Sequence, residues 1–285
     1  MEDDGGEVMP KVTYDEVGYW SEVKLDIIKE YAQAYTKILS NQSYLKYSYI
    51  DAFAGSGVHL AKSTGAFIPG SPLNALLVKP PFQNYHLIDI DKDKAANLRT
   101  LAKDYPNVEI YDGDCNQVLR DQIFPLIDYK RYKRALCILD PYGLHLDWDI
   151  ILTAGQMKSI EIFLNFPVMD INMNVLKHNK EKVSAEQIER MNAFWGDETW
   201  RQVGYAKSKQ TSFLGESELK TTNDILELGF RKRLKEVAGF KYVPEPIPMR
   251  NSYNSIVYYL YFASQKPVAS EIADHIFTKY RNKGL

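Results

Sequence analysis

The sequence predicts an α/β protein built on a mainly parallel sheet with helices on both faces and a helical insertion late in the chain. Three observations predict it. Short apolar runs of β type, "YSYIDAF", "NYHLIDI", "VEIYDGD", "RALCILDPYG", "IEIFLNFP", "FKYVPEPIPM" and "SIVYYLYFAS", alternate with helical segments. Several of these runs end in an acid, at the strand ends where ligands meet such sheets. Between residues 171 and 240 the alternation gives way to helical segments rich in charge and tryptophan, "SAEQIERMNAFWGDETWRQVGY" and "TTNDILELGFRKRLKEVAG".

Taken in order, residues 1 to 17 are polar and contain glycine, so they are expected to be frayed or loosely docked. The next segment, "YWSEVKLDIIKEYAQAYTKIL", places Trp20, Val23, Ile27, Tyr31, Tyr35 and Ile38 at three- and four-residue steps, the period of one amphipathic helix. In "PGSPLNALL", Ser71 is a natural N-cap and Pro72 suits the first helical position. A helix therefore starts well after Gly57, and "VHLAKSTGAFIPG", with Lys62 and Ser63, is expected to form an extra loop. Asp91 is placed to cap the next helix. In the insertion Ser184 and Gln187 form a capping box, and Gly196 and Gly239 stand where helices would stop. The run "RKRLKE" reads as a solvated helix face more readily than as a nucleic-acid patch.

With 35 basic and 37 acidic residues among 285, the net charge of −2 provides no global field for nucleic acid or membrane. The two cysteines, Cys115 and Cys137, sit in apolar contexts, which argues against a disulfide framework or a cysteine-rich metal site. No apolar run approaches the ~18 residues of a membrane span, and the start is acidic where a secretory signal would be basic. A cytoplasmic protein without membrane or metal partners is expected.

The chemistry concentrates at strand ends. In "YIDAFAGSG", Gly55 and Gly57 let backbone approach a ligand, and Asp51 is placed to accept from a cationic amine or a water. "YHLIDIDKDKAANL" ends a strand at Asp89, where a carboxylate can take both hydroxyls of a ribose. A dinucleotide would need a third glycine, and that position is Leu60. "IYDGDCNQVL" puts Asp114 after the third strand, where it can accept from an adenine amine with Cys115 or Asn116 beside it. Each acid alone could be a helix cap. In order, the three describe S-adenosylmethionine, with Asp51, Phe53, Gly55, Gly57, Asp89, Ile90, Asp114, Cys115 and Asp140 as the candidate cofactor residues.

The fourth run, "ILDPYGLHLDW", places Asp140, Pro141 and Tyr142 at the acceptor side, as candidate catalytic residues. They are similar to the Asp-Pro-Pro-Tyr of enzymes that methylate amino groups on bases, with one proline missing. A rigid Pro-Tyr-Gly turn is the alternative. His145 and Asp147 are candidate acid or base groups, or simply loop residues. Asn165 and Pro167 of "FLNFP", with Trp195 and Trp200, are expected to line a second cavity next to the cofactor.

These segments, together with "YWSEVKLDIIKEYAQAY", "GSPLNAL", "HLIDID", "ILDPYGLHLDWD" and "VYYLYFASQKP", resemble the three-Cys-motif partner (TcmP) proteins over nearly the whole chain. The resemblance implies a seven-stranded class I (Rossmann-like) methyltransferase fold, S-adenosylmethionine as cofactor, and a partner resembling a radical-S-adenosylmethionine enzyme with the cysteine motif. It names no acceptor. Nucleic-acid amino-methylation and a non-catalytic cofactor-binding subunit stay open as alternatives. A cytosine-C5 DNA methyltransferase is rejected, because its Pro-Cys nucleophile follows the fourth strand, whereas Cys137 lies inside that strand and Cys115 follows another. The expected organisation is a tail and helix over 1–40, a cofactor-binding α/β core over 41–170, a helical insertion over 171–240, and last strands with a C-terminal helix over 241–285.

Overall fold

The computed structural model describes residues 15–62, 64–177, 180–212 and 215–282. Seven strands form the main sheet: β2 (Lys46–Asp51), β5 (Asn84–Asp89), β6 (Val108–Asp112), β7 (Lys133–Leu139), β8 (Ile160–Phe166), β11 (Ile247–Arg250) and β12 (Ile256–Ala263). Their spatial order is β11-β12-β8-β7-β2-β5-β6. β12 runs antiparallel to both neighbours, and the remaining pairs are parallel. This is the mainly parallel seven-stranded sheet that the sequence predicts, and each run named for it contributes a strand.

The central strands are apolar on both faces because each face is covered. Alternate residues serve opposite cores: Ile50, Cys137, Ile162 and Tyr261 on one face, Tyr49, Leu136, Phe163 and Phe262 on the other. The second face is covered by α1 (Tyr19–Ser40), α2 (Ser71–Leu76), α3 (Lys92–Leu101) and α10 (Pro267–Arg281). The first is covered by α4 (Cys115–Val118), α5 (Trp148–Met157), the short α6 (Val168–Asp170), and three later helices, α7 (Ala185–Trp195), α8 (Trp200–Gly204) and α9 (Asn223–Glu236). The caps follow local chemistry. Asp91 accepts from the amides of Asp93 and Lys94, Ser184 accepts from that of Gln187, and Gly196 ends α7 at φ 96°.

Four expectations are corrected. Residues 15–17 form a strand, β1 (Asp15–Val17), parallel to β3 (Val58–Ala61), which pairs in turn with β4 (Phe67–Pro69). The stretch between Gly57 and Ser71 is thus mostly a small sheet, since a third strand supplies the pairing a lone loop would lack; Ser63 lies outside the described residues. The insertion is not wholly helical, for β9 (Tyr205–Ser212) and β10 (Gly215–Lys220) make an antiparallel pair. Finally, α2 begins at Ser71 itself, with Gly70 at the N-cap position. Among the described residues no helix is long and apolar enough to cross a membrane. No group of three or more His, Cys, Asp or Glu side chains is poised for a metal ion among them.

Candidate functional site

β2 has β5 on one side and β7 on the other, so the strand order reverses beside it. The crevice at such a switch point is where open α/β sheets hold ligands. Asp51 ends β2 there, and Asp140 follows β7. Asp51 is fully buried. It accepts hydrogen bonds from the Tyr49 hydroxyl at 3.1 Å, the Phe53 amide at 3.3 Å and the Ser71 hydroxyl. Burial pushes its pKa up to about 6 against these bonds, and nearby Asp140 adds to the rise. These bonds make the carboxyl a brace for the turn that follows β2.

The two glycines differ. Gly55 has φ 65°, and a Cβ there would come no closer than 3.7 Å to His59, so space lies above the turn. Gly57 has φ 83°, but a Cβ would lie 2.8 Å from Leu101 Cδ1 and 3.1 Å from Leu98 Cδ2. The first is free to approach a ligand; the second is required for packing against α3. Asp89 ties the elements together. One carboxylate oxygen accepts from the Gly55 amide at 2.8 Å and the other from the Asp91 amide at 2.9 Å. The side chain is partly exposed at the strand end, with spare lone pairs on both oxygens. Ile90 beside it is 73% exposed.

Asp114 is exposed and caps α4 through the Gln117 amide at 3.0 Å. Asn116 is engaged by the loop after β7: it donates to the His145 carbonyl and accepts from the Asp147 amide at 2.8 Å. Cys115 is buried toward the same loop, and burial pushes its thiol pKa up to about 12. Burial raises the Cys137 thiol as well. Neither is a poised nucleophile. Phe53 is partly buried against the core.

On the acceptor side, Asp140 pairs with Lys24 of α1, a contact the sequence reading missed. Burial lowers the Lys24 pKa, but Asp140 and Tyr258 outweigh it and hold the ammonium above its ordinary range. Its ammonium also stands 5.4 Å from the centre of the Tyr258 ring. The signal was present in the sequence. Lys24 falls on the apolar stripe of its helix, four residues after Trp20 and three before Ile27, where a cation needs a buried partner. Pro141 is buried, while Tyr142 projects with 88% of its surface exposed. Among the described residues, the buried polar atoms His59 Nδ1 and Asn165 Oδ1 at this edge have no partner. Burial also lowers the His59 pKa, keeping the ring neutral.

The tryptophan expectation is corrected. Trp195 and Trp200 are 0% and 1% exposed in a cluster with Phe166, Phe194 and Phe230. Their indole N–H groups donate to Thr199 at 3.0 Å and Asn192 at 2.7 Å. They pack the insertion onto the sheet, away from exposed Tyr142. Nor does "RKRLKE" form a patch: Arg233 is paired with Asp197 at 3.0 Å over the Trp148 ring, and Arg231 donates to the Val243 carbonyl. His145 is an exposed loop residue beside Arg190 at 3.2 Å.

No family model matches the chain, and no curated protein matches it. Solved structures do. Protein LPL1258 from Legionella pneumophila, assigned to family model DUF519, overlays with a TM-score of 0.54 at 13% identity, covering 91% of this chain and 93% of its own. A methyltransferase candidate from Thermobifida fusca gives 0.40 at 16% identity, covering 86% of this chain and 82% of its own. The CurJ carbon methyltransferase gives 0.42 at 11%, covering 85% of this chain and 55% of its own. The first overlay establishes a shared fold, and the other two are too loose to bear on chemistry.

Proposed function

We propose that this chain is an S-adenosylmethionine-dependent methyltransferase-like protein whose cofactor lies across the carboxyl ends of β2, β5 and β6. The observation that carries the reading is the bond from the Gly55 amide to Asp89. It joins an open glycine turn after the first of these strands to a partly exposed acid after the second. The residues fit the group: Asp89 has lone pairs left for ribose hydroxyls, Gly55 leaves room for backbone approach, and Asp114 offers a carboxylate at the adenine end. The orphaned His59 Nδ1 and Asn165 Oδ1 are polar atoms that a ligand at this edge would satisfy. The cofactor, when bound, supplies an electrophilic methyl group. The chain's task is to align an acceptor and, where needed, take its proton.

A second reading is favoured by one observation. Asp140 is already paired with Lys24, and the insertion's tryptophans are packed away, so the elements expected to build an acceptor cavity are engaged elsewhere. That suits a non-catalytic cofactor-binding subunit, with a three-Cys-motif radical-S-adenosylmethionine-like protein as partner. Exposed Tyr142 instead suits stacking on a base, the mark of an amino-methyltransferase acting on nucleic acid.

Calorimetry with S-adenosylmethionine tests the shared part. The parent should bind, and Asp89→Asn should weaken binding by about 1.5–3 kcal/mol, the scale of hydrogen bonds to a charged group. Absence of binding to the parent, or equal binding in both, would sink the cofactor assignment. Labelled methyl transfer to fractionated extract then separates enzyme from subunit.

A further inference from the structure

A cavity of about 720 Å³ opens at the opposite edge of the sheet, by the amino ends of β7 and β8. It lies roughly 20 Å from the switch point, the length of a seven-residue strand. Its walls come from the second half of α1, the loop before β7, the start of β8 and the first turn of α10. Tyrosines from two of these segments and the loop after α1, among them Tyr35, Tyr44, Tyr129 and Tyr132, give it an aromatic lining.

Its charge is one-sided. Lys130, Arg134, Lys158 and Lys266 line it against a single acid, Glu161. None of these four cations is in an ion pair among the described residues; Arg134 lies 3.9 Å over the Tyr129 ring and donates to backbone carbonyls. The first turn of α10 also faces the cavity through Val268 and Ala269, and no side chain caps that helix. A 15-residue helix with free N-terminal amides adds to the positive potential. A further observation points to a ligand. Tyr35 is 6% exposed in the wall, and its hydroxyl has no partner among the described residues.

We propose that this cavity binds a small aromatic acid, its ring among the tyrosines and its anionic group at Lys266, Arg134 and the start of α10. Glu161 does not oppose this below neutrality. Burial pushes its pKa up to about 7, against a 2.6 Å hydrogen bond from Tyr31 and the pull of Arg134 and Lys266. A protonated Glu161 can then donate to the ligand. The proposal is independent of the cofactor reading, since it uses none of the residues of the carboxyl edge.

The experiment is calorimetry at pH 6 with 2-naphthoate and its neutral isostere 2-naphthamide, on the full chain. Naphthoate should bind saturably and about tenfold more tightly than the amide. Lys266→Glu, at an exposed position, should weaken naphthoate at least about fivefold. Val268→Trp, which fills the mouth from a half-exposed site, should weaken both compounds about tenfold. Thermal melting of each variant checks that the fold is kept. No saturable naphthoate binding, equal affinity for acid and amide, or unchanged binding in both folded variants would overturn the proposal.

Discussion

The two edges of the sheet handle charge in opposite ways. At the carboxyl edge every candidate acid is already engaged by the chain itself: Asp51 by Tyr49, Ser71 and Phe53, Asp89 by two amides, Asp114 by its helix, Asp140 by Lys24. At the amino edge four cations surround open space without ion pairs among the described residues. The lesson is that residues which read as ligand-binding in sequence can be doing local structural duty, while a cavity with unneutralised charge leaves no strand-end motif. Both edges can still serve ligands, but the carboxyl edge must do so with lone pairs left over.

The largest test strikes the carboxyl edge alone. Gly57→Val forces a β-branched residue to a positive φ and into Leu98 and Leu101, and should cost about 3–4 kcal/mol of stability. Gly55→Ala meets backbone strain without overlap and should cost about 1–2 kcal/mol. Urea unfolding measures both; equal losses would erase the distinction between the open and the packed glycine. If either also alters naphthoate affinity, the two edges are coupled.

Next in size is a titration that compares the edges. Asp51 and Glu161 hold their protons more tightly in the folded chain, with values near 6 and 7. A carboxyl of raised pKa contributes stability that is full below its unfolded value and is lost as pH rises through the folded one. Stability should therefore fall from about pH 4 to 7, by on the order of 3 kcal/mol for each group. Asp51→Asn should flatten the lower part of that fall and Glu161→Gln the part that continues to pH 7. A profile that either variant leaves unchanged would remove that group from the account.

Lys24→Met should cost about 2 kcal/mol, less than a fully buried pair because the Asp140 side chain is 30% exposed. If Lys24→Met combined with Asp140→Leu recovers the loss while cofactor binding persists, the pair is purely structural. The smallest effect belongs to the strap over the glycine turn. Asp15 bonds Lys94 at 2.7 Å, but it is half exposed, so Asp15→Ala should change stability by no more than about 0.5 kcal/mol. A much larger drop in the melting curve would mean that β1 holds the edge closed.

Much was legible in the sequence because it was local. Strand runs, the Asp91 and Ser184 caps and the Gly196 stop depend on neighbours a few residues away, and β7 and β12 read as near-continuous apolar runs because both of their faces are covered. The strand-end position of Asp51, Asp89 and Asp140 follows from the same local pattern. What those acids do did not follow, since their partners come from far along the chain: Lys24 lies 116 residues from Asp140, and Gly55 lies 34 from Asp89. The tryptophans read as exposed site residues until α7, α8 and α9 closed over them, and β1 had no visible reason to be a strand until β3 stood beside it. The amino-edge cavity belongs wholly to tertiary structure. It exists because α1 and α10 cross the ends of β7 and β8 without filling the space between, and no short stretch of sequence records the volume that distant elements leave open.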